Sequence, residues 1–231
     1  IRRSAGMRQF ASDDKEAASA KENLWSQDEK GNWRIDPEKD ALRMANHTRV
    51  YHTKPSYQTI LDAVTKQFHS GEGAIQFAPE AIARSNADIL KDDELRKEFI
   101  EIYSEQGKNE ARNWINTSYG PFSEEELNHR MSRYGLNPCG EILGNDFHCN
   151  LAEVHLNQID PKNFEEQEKA FKAAALSVAC LLNHEFEVER YRKSREYDPI
   201  VGVSFTGLFD FCVHAFGTPW LKWWEAGRPD S

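Results

Sequence analysis

Asn137-Pro138-Cys139-Gly140-Glu141, followed ten residues past the cysteine by Cys149-Asn150-Leu151-Ala152-Glu153-Val154-His155-Leu156, places a cysteine, a carboxylate and an amide within five residues. Pro138 fixes φ, and Gly140 admits backbone conformations closed to other residues. The spacing predicts a tight loop that holds Asn137, Cys139 and Glu141 toward one spot. The residues after it alternate: Asn150, Ala152, Val154 and Leu156 share one face, while Cys149, Leu151, Glu153 and His155 share the other. That pattern predicts a strand with a polar, reactive face and a second thiol at its start. A cysteine supplies a nucleophile or a one-electron partner, a glutamate moves a proton, and an asparagine orients hydroxyls through its amide. The same residues also fit a tight turn around a buried, inert cysteine.

The wording Asn137-Pro138-Cys139-Gly140-Glu141-Ile142, with a second cysteine opening the next strand, resembles the finger loop of ribonucleotide reductases. Cys149-Asn150-Leu151-Ala152-Glu153-Val154-His155-Leu156 is similar to the adenosylcobalamin-dependent class, the ribonucleoside-triphosphate reductases. The run from Ala41 to Asp88 and the opening Arg2-Arg3-Ser4-Ala5-Gly6 resemble the same family. The resemblance implies an α/β fold, part of a ten-stranded α/β barrel made of two half-barrels, with a finger loop at about 135–148 threaded through its middle. It implies adenosylcobalamin as radical source, a ribonucleoside triphosphate as substrate, and thioredoxin or a similar dithiol as reductant. By position, Cys139 becomes the thiyl radical that removes the 3′ hydrogen, and Glu141 takes the proton of the 3′ hydroxyl. Asn137 hydrogen-bonds the ribose hydroxyls, and Cys149 is one half of the dithiol that delivers two electrons.

The 231 residues suffice for a domain with a real core, and 38 acidic against 29 basic side chains leave a net charge of −9. That balance disfavours nonspecific nucleic-acid binding. No apolar run reaches the roughly 18 residues of a membrane span. Four cysteines in an ordinary composition suggest a reducing compartment, the cytoplasm, and not a disulfide scaffold.

Elsewhere the periodicity predicts a helix over 12–24 capped by Ser12 or Asp13, then a polar loop anchored by Trp25 and Trp33. The second half of Ala41–His52 favours a strand that ends before Pro55, with Asn46 and His47 as structural residues. Ile60, Leu61, Val64 and Phe68 predict an amphipathic helix capped by Ser56. Gly71-Glu72-Gly73 reads as its C-terminal turn more readily than as a phosphate loop. Helices are expected over 92–106, with Leu95, Phe99, Ile102 and Tyr103 inward, and over 124–134. Phe164 to His184 reads as a long helix, apolar nearly all round from Ala170 to Leu182 and therefore buried on several sides, with Cys180 a packing residue. A strand over 199–205, a helix over 206–216 holding Cys212, and a last helix from Pro219 complete the chain. Strands separated by long helices suggest parallel pairing.

Three further expectations follow. The partner of Cys149 in such a reductase lies upstream of Ile1, and effector-binding and later barrel segments are also wanting. The chain therefore reads as a central fragment that needs complementary N- and C-terminal segments, or as an inert scaffold. A zinc module on Cys139, His148, Cys149 and His155 is the weaker alternative: adjacent residues on a strand point opposite ways, and no Cys-x-x-Cys knuckle occurs.

Overall fold

The computed structural model describes residues 6–21, 24–35, 37–43, 45–70, 73–137 and 140–230. The chain divides into two compact units, residues 1–145 and 146–231. In chain order the first unit contains β1 (Gly6–Ala11), α1 (Lys15–Ser19), β2 (Trp25–Gln27), β3 (Trp33–Ile35), α2 (Asp40–Arg43), β4 (Ala45–Tyr51), α3 (Tyr57–Ser70) and β5 (Ala74–Phe77). It continues with α4 (Ala78–Ser85), α5 (Asp93–Gln106), α6 (Lys108–Tyr119), α7 (Glu124–Arg130), β6 (Gly135–Leu136) and β7 (Leu143–Gly144). The second unit contains β8 (Asn150–His155), α8 (Phe164–Leu181), α9 (Glu189–Tyr197), β9 (Val201–Thr206), α10 (Leu208–Phe216) and α11 (Thr218–Glu225).

In the first unit β1, β4 and β5 form a parallel sheet in that order, with Gln9 opposite Thr48 and Val50 opposite Gln76. β4 is the central strand and is buried along nearly its whole length, as its Val-, Thr- and Tyr-rich text requires. The helices that follow build the core. Ile82, Leu90, Phe99, Tyr103, Ala111, Ile115, Leu127 and Met131 are buried together, with Leu95 and Ile102 packed at the margin. Local chemistry sets the helix ends: Asp92 caps α5 by accepting the Glu94 and Leu95 amides, and Ser123 caps α7 by accepting that of Glu126. Gly107, at φ +93°, lets α6 start directly after α5.

In the second unit β8 and β9 pair in parallel, Asn150 opposite Val201 through His155 opposite Thr206. The alternation expected for β8 is present: Asn150, Ala152 and Val154 turn inward, while Leu151, Glu153 and His155 are exposed. Among the described residues the sheets hold three strands or two, and none closes into a barrel.

Several local expectations need correction. The helix expected over 12–24 covers only Lys15–Ser19 and is capped by Asp14. The Ser19 hydroxyl donates back to the Lys15 and Glu16 carbonyls, a side-chain bond that competes with helix continuation. Trp25 and Trp33 are not buried anchors. They are 53% and 65% exposed on the β2–β3 hairpin, where Gln27 faces Trp33 and Trp25 faces Ile35. The second of the helices expected over 92–106 and 124–134 ends at Arg130, and α6 lies between them where no helix was foreseen. The largest departure is α8, in which only Val178 is buried, while Leu176 and Leu181 are exposed. A sheet of two strands is wide enough to cover only one stripe of a helix. Cys180 is likewise exposed, not packed.

Among the described residues, no helix is long and apolar enough to cross a membrane.

Candidate active site

The stretch singled out by sequence folds as a tight antiparallel hairpin, with Gly135 opposite Gly144 and Leu136 opposite Leu143. Its loop is closed by Asn137. The Asn137 N–H donates to the Ile142 carbonyl at 3.2 Å, and the Ile142 N–H donates to Asn137 Oδ1 at 2.9 Å. The Gly140 N–H donates to the Asn137 carbonyl at 3.0 Å, and Gly140 sits at φ +82°, the left-handed region that a glycine enters without steric cost. The Asn-x-x-Gly text is thus what allows the loop to turn. Asn137 is buried and Glu141 is exposed. With Oδ1 committed to the loop, a ligand would meet Asn137 through the Nδ2 donors.

The base of the hairpin is held by the parallel sheet. Gln9 of β1 and Gln76 of β5 both donate from Nε2 to the Tyr134 carbonyl, at 2.8 and 2.6 Å. Gln9 Nε2 also reaches Gln76 Oε1 at 2.5 Å. One polar residue on each outer strand therefore fixes where the hairpin begins. β7 lies along α4, whose end is tied to α7 by a partly buried network. Arg130 donates to Asn86 Oδ1 and Asp88 Oδ1, each at 3.1 Å, and pairs with Asp88 and Glu126 at 2.8 and 3.1 Å. Asn86 in turn donates to the Arg130 carbonyl at 3.2 Å. Burial pushes the Asp88 carboxyl up, but the hydrogen bond and charge of Arg130 outweigh it and hold the group below the usual carboxylate range.

A second cluster flanks Tyr134. His52 Nδ1 lies 2.9 Å from the Tyr103 hydroxyl, and the His52 ring meets Tyr134 edge-on at 5.4 Å. Lys108 Nζ stands 5.9 Å from the Tyr134 ring centre. Burial, aided by Tyr134, pushes the Tyr103 phenol up to about 12. Burial and then the Lys108 charge lower His52, while burial and then Arg112 lower Lys108. These shifts favour a neutral imidazole beside a protonated phenol, so that Tyr103 can donate to His52. Neither this cluster nor the glutamine clamp was found by sequence reasoning. The available signal was the polar Gln76 inside the otherwise apolar β5.

Among the four site residues read from sequence, Asn137 and Glu141 stand on one hairpin. Cys139, with Pro138, lies outside the described residues. Cys149 is half-buried at the start of β8 in the second unit. Of the residues weighed as zinc ligands, His148 stacks on Phe186 at 4.5 Å and meets Tyr191 edge-on at 4.9 Å. Burial and then the neighbouring His184 lower its pKa. Among the described residues, no group of three or more His, Cys, Asp or Glu side chains is arranged to hold a metal ion. Asn46 and His47 lie on β4, where His47 is buried and packs edge-on against Phe10 at 5.9 Å.

Comparison with known proteins finds a curated relative: the adenosylcobalamin-dependent ribonucleoside-triphosphate reductase of Lactobacillus gasseri, 37% identical over 84 residues. The matched stretch is 36% of this chain and 11% of the relative, so the chain spans only a small part of that protein's length. No family model matches the chain, and no solved structure matches it.

Proposed function

We propose that this chain carries the central catalytic portion of a ribonucleoside-triphosphate reductase and that its β6–β7 hairpin is the finger that presents the radical thiol. The observation that carries this reading is the closed loop at 137–142. Asn137 and Glu141 stand on one turn, tied by the two bonds between Asn137 and Ile142 and by the Gly140 amide on the Asn137 carbonyl. The similarity to the Lactobacillus gasseri enzyme supports the same reading.

In this mechanism the Cys139 thiyl takes a hydrogen atom from C3′ of the ribose and becomes a thiol. The Glu141 carboxylate takes the proton of the 3′ hydroxyl, and Asn137 Nδ2 orients the ribose hydroxyls. The 2′ hydroxyl leaves as water. The dithiol of which Cys149 is one member gives one proton to the leaving 2′ hydroxyl and two electrons with its second proton to C2′. It ends as a disulfide and is reduced again by thioredoxin or a similar dithiol. Glu141 returns its proton to the 3′ oxygen, and Cys139 returns its hydrogen atom to C3′, regenerating the thiyl. Adenosylcobalamin, when bound, supplies the initiating radical. The cavities of about 330, 510 and 590 Å³ are not lined by any residue of the hairpin.

Complementary N- and C-terminal segments are part of the proposal, within a partial ten-stranded barrel. Leu151, Val201, Val203, Phe205, Leu208 and Phe209 are exposed in the second unit, an apolar surface of the kind that further strands and helices cover.

The test uses the chain completed with such segments and a substrate tritiated at C3′, reading tritium release and deoxynucleotide together. Cys139→Ser should lose both. Cys149→Ser should retain tritium release and lose net reduction. Glu141→Gln should slow both by roughly 10²–10⁴-fold, the range for a lost general base. Deoxynucleotide formation by Cys139→Ser near the parent rate would refute the assignment.

A further inference from the structure

On the face of the parallel sheet covered by α3 there is a cavity of about 590 Å³. Its floor is Arg49 and Tyr51 of β4, two residues apart and so on one face of the strand. One wall is Thr59, Asp62, Ala63 and Lys66, the i, i+3, i+4, i+7 stripe of α3, and the other is the turn after β1 with the start of α1, including Ser12 and Lys15. Arg49 is only 8% exposed. Among the described residues no hydrogen bond or ion pair engages its guanidinium.

Acidic groups share the cavity without taking that role. Asp14 Oδ1 accepts the Ala17 amide as the cap of α1, and Asp62 Oδ1 accepts the Gln58 side-chain amide at 2.7 Å. A lysine in such a place could shed its proton, but a guanidinium remains charged in proteins, with five donors that need acceptors. None of the Arg49 guanidinium nitrogens is sealed from solvent, so they open onto the cavity. The cavity offers room for an acceptor.

We propose that this cavity is a binding site for a small oxyanion, a phosphate or carboxylate group seated bidentately on Arg49 with Lys15 and Lys66 at its margin. The lining sets the size and charge of the ligand. Three basic groups, Lys15, Arg49 and Lys66, face three acidic ones, Asp13, Asp14 and Asp62. A single compact anion gains the guanidinium fork, whereas the extra charges of a polyphosphate meet the carboxylates. Ser12 adds a hydroxyl that can donate to a remaining oxygen. The site is independent of the hairpin chemistry proposed above, and its presence does not depend on that reading.

Equilibrium dialysis of the full chain against labelled inorganic phosphate, and in a second arm against labelled acetate, tests the assignment and separates the two sources. The expected result is one saturable site for at least one of them. Arg49→Met should weaken it by about tenfold or more, as expected for lost charge-assisted bonds, and Arg49→Lys should weaken it less. Asp62→Asn removes a repelling carboxylate and should tighten binding, which keeps the test decisive if Arg49→Met fails to fold. Saturable binding of neither anion, unchanged affinity in a folded Arg49→Met chain, or unchanged affinity in Asp62→Asn would each overturn the proposal. Tripolyphosphate binding far more tightly than phosphate would overturn the assignment to a small anion.

Discussion

Replacing Asn137 with alanine removes the Oδ1 acceptor that holds the Ile142 N–H at 2.9 Å across the hairpin loop. A buried donor left without a partner costs about 1–3 kcal/mol. Ile142 is only half-buried, so water can replace part of the lost bond, and the lower part of that range applies, about 1–2 kcal/mol. At 1.4 kcal/mol per factor of ten, the Ile142 amide should exchange with solvent roughly 5- to 30-fold faster by local opening. The Gly140 amide, bonded to the Asn137 carbonyl inside the same loop, should follow it. Amides in the middle of α5, around the buried Phe99, should keep their protection, because the loop opens without the core. Asn137→Asp retains an acceptor at the same place and should restore most of the protection at Ile142. Residue-level hydrogen exchange under native conditions reads all four quantities at once. Unchanged exchange at Ile142 in Asn137→Ala would show that the side chain does not close the loop. Equal acceleration in α5 would show that the loop has no stability of its own to lose.

Other perturbations probe the supports of that hairpin and the exposed surfaces. Arg130→Met breaks the buried bond to Asn86 and the partly exposed pairs with Asp88 and Glu126 and should lower the stability of the first unit by about 1–3 kcal/mol, read from its urea midpoint, because Asn86 loses its partner inside the core. His52 has a folded pKa below its ordinary 6.5, so the unfolded chain binds the proton first; its contribution to stability is present above that value and is lost as pH falls through the folded pKa. His52→Gln should therefore flatten the decline in the urea midpoint between neutral and mildly acidic pH, and an unaltered decline would exclude His52 as its source. Phe205→Ser with Phe209→Ser removes part of the exposed apolar surface of the second unit and should lower self-association in light scattering.

The elements most legible in the sequence are those whose cause is local. Ser56 accepts the Thr59 amide at the start of α3, and Asp92 and Ser123 cap their helices within three residues of themselves. The alternation of β8 is written in Asn150, Ala152 and Val154 because neighbouring strand positions face opposite ways. β1 and β5 were less legible. Gly6–Ala11 and Ala74–Phe77 are short and carry polar residues, and they become strands by pairing with β4 across long separations in the chain. α6 was missed because its surface is polar apart from Ala111, Ile115 and Trp114, and its inward face is defined by what α5 and α7 bring to it.

For the candidate site, the sequence alone determined the chemistry available at 137–141, and the bonds of Asn137 to Gly140 and Ile142 reach only three and five residues along the chain. Only the tertiary structure decided what fixes the hairpin in place. Gln9 and Gln76 meet at the Tyr134 carbonyl from positions 125 and 58 residues away. Tertiary structure also decided which apolar residues are covered. The text of α8 asks for burial on several sides, but burial depends on the area that neighbours present, and β8 with β9 presents enough for Val178 and leaves Leu176 and Leu181 to solvent. Side-chain identity is a property of the residue, whereas its partners are set by distances that only the folded chain possesses.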